Sequence, residues 1–136
     1  MKDLLKSNIY DCDEKIIIVG SCLSSVQPLA FQSLQAVGYP IFDVCLEQTH
    51  INMVITKVLG MIRAKKISEI IFVSVDKSPH CTQLHYIQEE IVKLGFKTKF
   101  SNFVAVEGKL VKISPEAISL SKNLAKLQNI QEKNEN

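Results

Sequence analysis

Three short apolar runs do most to limit what this chain can fold into: KIIIVG at 15–20, IFDVCL at 41–46 and EIIFVSV at 69–75. Continuous runs of this kind belong to strands covered on both faces, as in a parallel sheet, rather than to strands with one wet side. Between them lie stretches of helical periodicity. From about Ser25 to Val37 the residues Val26, Leu29, Ala30, Leu34 and Val37 share a face, Pro28 falls in the first turn and Gly38 is the stop. Thr49 is expected to cap a second helix with Ile51, Val54, Ile55, Val58 and Ile62 as its apolar stripe. Ser78-Pro79 reads as N-cap and first residue of a third helix that runs to about Leu94, with Leu84, Ile87, Ile91 and Leu94 inward and Gly95 as terminator.

Thr98 to Val106 is a fourth extended segment, and Glu107-Gly108 turns it into a short strand, Leu110 to Ile113, as a terminal hairpin. Ser114-Pro115 opens a last helix with Ala117, Leu120, Leu124 and Leu127 on one face. Alternating strands and helices predict an α/β fold: a three-layer, open, mostly parallel sheet of about four parallel strands, flavodoxin-like in its order 2-1-3-4, with a C-terminal hairpin and terminal helix. The expected boundaries are an N-terminal segment 1–14, a single domain 15–128 and a polar tail 129–136.

Composition narrows the function classes. A chain of 136 residues fits one domain, with no need of a disulfide or metal to make a core. The net charge of +2 is spread over lysines scattered among acids, with a single arginine, Arg63, and no tryptophan. Nucleic acid is therefore not an expected partner, since a binding face needs clustered cations and stacking rings. The apolar runs are far too short to cross a bilayer, and Met1 to Glu14 is charged throughout, so the expected location is cytoplasmic. Four cysteines in such a compartment are expected to be reduced, metal-bound or catalytic; there is no CxxC.

The cysteines supply the candidate site. Cys22 follows the glycine that ends the first strand, Cys45 stands near the end of the second, and Cys81 lies in the first turn after the third. All three fall at the carboxyl edge of the sheet, where ligands of open α/β folds bind. Neighbouring strands lie about 4.8 Å apart, so three strand ends can share one site. Cys12 precedes the first strand and belongs to the opposite edge. Near a helix start, Cys81 is expected to favour the thiolate. His85, four residues on, is expected on the same helix face, as a base for the thiol or a fellow metal ligand. Ser24 and Ser25 offer hydroxyls and amides to an anion, and His80 adjoins Cys81. Plain packing competes throughout: cysteine is often a small hydrophobe, above all Cys45 in its apolar strand, and His50, His80 and His85 each suit a surface or packing role.

The arrangement of Cys22, Cys45 and Cys81 with His85-Tyr86 resembles the delta subunit of methyl-viologen-reducing hydrogenases over about residues 15 to 95. That resemblance implies a small α/β iron–sulfur domain passing electrons between a hydrogenase and a disulfide reductase. The family's paired, glycine-rich cysteines after the third strand are represented here only by Cys81, within SPHCTQLH. The loop at Cys22 is also similar to the B component of sugar phosphotransferase systems, whose cysteine carries a phosphoryl group. Six positions on stands Pro28, with no arginine nearby, so no phosphatase loop begins there.

Three functions follow as expectations. The first is a redox or electron-transfer module holding an iron–sulfur cluster or zinc through Cys22, Cys45, Cys81 and His85, with a redox partner protein and homo-oligomerisation left open. The second is a thiol-dependent transferase of sulfur, phosphoryl or acyl groups, with Cys22 or Cys81 as nucleophile and His85 as base. The third is a non-enzymatic interaction or regulatory domain.

Overall fold

The computed structural model describes residues 1–135. Its strands are β1 (Lys2–Asp3), β2 (Lys15–Gly20), β3 (Ile41–Val44), β4 (Glu69–Val75), β5 (Lys99–Val106) and β6 (Lys109–Ile113). They form one sheet in the order β1-β3-β2-β4-β5-β6. Every pair is parallel except β5 with β6. The inner order β3-β2-β4-β5 is the expected 2-1-3-4.

The continuous apolar runs are explained by coverage on both faces. Along β2, Ile17 and Val19 face α1 (Leu23–Val26) and α2 (Pro28–Gln35), joining Leu23, Ala30 and Leu34. Ile16 and Ile18 face the other way, toward Val54, Val58 and Met61 of α3 (Ile51–Lys65) and Ile87 and Ile91 of α4 (Ile87–Lys93). A strand whose alternate residues both meet helices has no wet side, so every position reads apolar.

Four local expectations are corrected. The first helix is two pieces, divided at Gln27, whose φ of −131° and ψ of 65° leave the helical region ahead of Pro28. The second helix is entered through His50 rather than Thr49, whose amide closes a turn on the Cys45 carbonyl. The segment after β4 is a 3₁₀ helix over Cys81–Tyr86, and α-helical geometry begins only at Ile87. The last helix is α5 (Pro115–Ser121) and then α6 (Leu124–Glu135), because Asn123 accepts the Lys126 amide through its side chain and starts a new helix.

The N-terminal segment is part of the packed body: β1 extends the sheet beside β3, and Leu4 and Cys12 are buried in the core. The β5–β6 hairpin turns through Glu107 and Gly108, both at positive φ (48° and 79°), as a tight two-residue connection requires. The Gly108 amide donates to the Gln27 side chain at 2.8 Å, tying the hairpin to the α1–α2 break.

Candidate functional site

Strand order reverses between β2 and β4. From β2 the chain crosses outward to β3, and from β4 it crosses the other way to β5, leaving a crevice at their carboxyl ends. Cys81 fills it. Its thiol is buried and accepts a hydrogen bond from the Val75 amide at 3.3 Å, at the end of β4. On the other side it lies so close to Gly20, the last residue of β2, that a Cβ there would sit 2.3 Å from the sulfur. Only glycine admits a sulfur at that position.

Cys22 and Cys45 come to the same edge. The Ser21 amide donates to the Val44 carbonyl at 3.0 Å, so the chain leaving β2 stays beside the end of β3, and Cys22 and Cys45 are the next residues along each. Cys22 is exposed, Cys45 half-buried, and both are free thiols. Both are near enough for their charge to act on Cys81. Burial pushes the Cys81 thiol up to about 11, backbone hydrogen bonds from Val75 and Gly20 oppose that rise, and the charges of Cys22 and Cys45 add to it. This corrects the expected thiolate: the stretch is 3₁₀ rather than a full α-helix start, and the sulfur points into the core. Cys12, at the other edge, is also buried, and its thiol is raised chiefly by that burial.

His85 does not face Cys81. In a 3₁₀ helix residues three apart are aligned, so a spacing of four carries the second residue round to another face. There His85 joins a buried polar chain that sequence reasoning missed. His85 Nε2 lies 2.7 Å from the Ser74 hydroxyl, and Nδ1 lies 2.9 Å from the Asn102 side-chain oxygen. Asn102 in turn donates to the Gln88 side-chain oxygen at 2.7 Å. With Asn102 presenting its oxygen, His85 carries its proton on Nδ1 and accepts from Ser74 on Nε2. Burial lowers the His85 pKa, against the Asn102 contact, which holds the neutral ring in this tautomer. Ser74, His85 and Asn102 have the connectivity of a hydrolase triad, but Ser74 is fully buried, so no substrate reaches its hydroxyl. The chain fastens the 3₁₀ helix and α4 to β4 and β5. Its signal in the sequence was a serine and an asparagine at inward positions of otherwise apolar strands.

The remaining candidates are dispersed. The Ser25 hydroxyl donates to the Cys22 carbonyl at 3.1 Å, and Ser24 and Ser25 lie inside a helix of only four residues, so neither forms an anion cradle at a helix start. His80 precedes the 3₁₀ helix and is exposed, in a surface role. With both His85 nitrogens engaged, the expected fourth metal ligand is missing. Among the described residues no group of three or more His, Cys, Asp or Glu is set to hold a metal ion. The residues present do not fit a four-ligand cage for a cluster or zinc. Nor is any described helix long and apolar enough to cross a membrane.

Compared with known proteins, residues 11–136 match the family model described as a Rossmann-like domain. No curated protein and no solved structure matches the chain.

Proposed function

This chain belongs to the Rossmann-like domain family, and from that premise we propose that it is a redox module working through the thiols at the switch point of its sheet. One observation carries the reading: the Ser21–Val44 hydrogen bond keeps the chain after β2 beside the end of β3, and Cys81 packs against Gly20 and Val75, so Cys22, Cys45 and Cys81 share the edge where such folds bind their ligands. The three differ in access, and access assigns their parts. Exposed Cys22 meets the partner, half-buried Cys45 resolves, and buried Cys81, a poor nucleophile with its thiol near 11, backs the pair. The resemblance of its cysteine positions to those of hydrogenase delta subunits, an expectation from the sequence, is in keeping with this class of chemistry, electron exchange with a protein partner.

The reaction is thiol–disulfide exchange. The Cys22 thiolate attacks a partner disulfide, forming a mixed disulfide and releasing one partner thiolate with the bonding pair. Cys45 then attacks the Cys22 sulfur, and the second partner thiolate leaves. The chain ends as a Cys22–Cys45 disulfide and the partner as a dithiol, with two electrons and two protons transferred. No step passes through a metal.

The test is anaerobic. Reduced protein is equilibrated in glutathione buffers of graded potential, the free thiols are alkylated, and mass spectrometry locates any disulfide. The expected product is the Cys22–Cys45 disulfide, lost in C22S and in C45S and retained in C81A. Three cysteines that stay free across the range would sink the proposal. So would stoichiometric iron with visible absorption after reconstitution with iron and sulfide, which would replace dithiol chemistry with a cluster.

A further inference from the structure

At the opposite, amino edge of the sheet is a cavity of about 440 Å³ between the end of α3 and the loop from α4 to β5. Its walls include Arg63, Lys66 and Lys97, with Phe96, Ile62 and Ile67 between them. From the cations and the ring we propose that this cavity binds a small organic phosphate with a planar group, of the kind a nucleoside diphosphate presents. The site is independent of the redox reading and lies at the opposite edge of the sheet from Cys22, Cys45 and Cys81.

Three observations carry the inference. Among the described residues Arg63, Lys66 and Lys97 take part in no ion pair and no side-chain hydrogen bond, and all three line the one hollow. Glu69, an acid on this edge, stands in register between Lys15 and Lys99. The hydroxyls of Ser68 and Thr98 are also spent, on the carbonyls of Glu14 and Ile67, which leaves the three cations as the donors open to a ligand.

The second observation is conformational. Lys66 ends α3 with φ 50° and ψ 51°, a left-handed position that glycine fills at no steric cost. The lysine there places its charge beside the cavity. The dipole of α3 does not account for the cluster. Arg63 and Lys65 in its last turn already offset the negative helix end, and that effect asks nothing of the α4–β5 loop, which still sends Lys97 to the same hollow.

The third observation is Phe96, a ring 37% exposed on the cavity wall. A planar group can stack on it while the guanidinium of Arg63 takes two phosphate oxygens at once and the lysines serve as point charges.

Isothermal titration of the full chain with ADP, pyrophosphate and adenosine at low salt tests this. ADP is expected to bind, pyrophosphate to bind roughly tenfold more weakly for want of stacking, and adenosine to give no heat. R63Q and K97Q should each weaken ADP roughly tenfold, and F96A should weaken ADP while leaving pyrophosphate unchanged. K66G keeps the test clear of folding defects, because it should raise thermal stability while lowering ADP affinity. ADP binding no better than adenosine, or unchanged in R63Q and K97Q, would overturn the proposal. Tighter binding of a polyglutamate peptide than of ADP would overturn it too, since the cavity would then serve an acidic protein.

Discussion

Gly20 and Cys81 are a matched pair: a missing side chain on one strand end makes room for the sulfur beside it. Replacing Gly20 with alanine forces a Cβ into the space 2.3 Å from that sulfur, and both neighbours are held, Gly20 in β2 and Cys81 by its hydrogen bond from Val75. Overpacking of this kind costs about 1–3 kcal/mol. The sulfur is the obstacle, because the Cys81 Cβ lies an ordinary 3.7 Å away. G20A in a C81A background should therefore regain most of what G20A loses alone. Urea denaturation of the four proteins in that cycle measures the coupling. Equal losses from G20A in both backgrounds would mean the close approach has no energetic weight. The pairing was only half legible in the sequence. Gly20 reads as the end of a strand and Cys81 as the start of a helix, and nothing local says that one is shaped by the other across 61 positions.

The 3₁₀ helix and α4 depend on polar as well as apolar contacts with the sheet. Ser74, His85, Asn102 and Gln88 hydrogen-bond in sequence beneath them, all buried. Asn102 is the hinge of the network, accepting from His85 and donating to Gln88, so N102A leaves two buried polar groups without partners. The expected cost is about 2–4 kcal/mol, read as a lower urea midpoint. Acid should act on the same elements. The folded pKa of His85 is depressed by burial, so its contribution is intact above the unfolded value of about 6.5 and declines as pH falls below it. Hydrogen exchange should show α4 loosening first under mild acid, and H85Q should flatten that part of the pH profile. Strand positions were legible because burial on both faces leaves a continuous apolar run. Helix boundaries were less so, since Gln27, His50 and Asn123 end or start helices through tertiary context and local capping that a stripe of apolar residues does not encode.

Across the whole molecule, attachment to the core falls away toward the C-terminus. The shared edge of Cys22, Cys45 and Cys81 follows from crossovers between parallel strands, and the hairpin from the Glu107-Gly108 turn, which is why both were legible in the sequence. The ligand roles of His85 and Ser25 were not, since both depend on which neighbour takes the hydrogen bond. The last helices divide sharply. α5 is anchored by buried Ile118, by Ser121 against the Tyr86 hydroxyl at 2.9 Å, and by an ion pair from the following Lys122 to Glu89. α6 supplies no core residue among those described, and its first residue, Leu124, is 76% exposed. The stripe of Leu120, Leu124 and Leu127 expected on one continuous helix is broken at Asn123, so burial of α5 does not extend to α6. Deleting residues 124–136 should therefore change stability by less than about 1 kcal/mol, whereas deletion from Ser114 onward removes Ile118 as well and should cost about 2–4 kcal/mol. Thermal and urea unfolding of the two truncations measure the difference. A large loss from the shorter deletion would mean that α6 is packed against something in solution, and sedimentation of the full chain would then show a second copy.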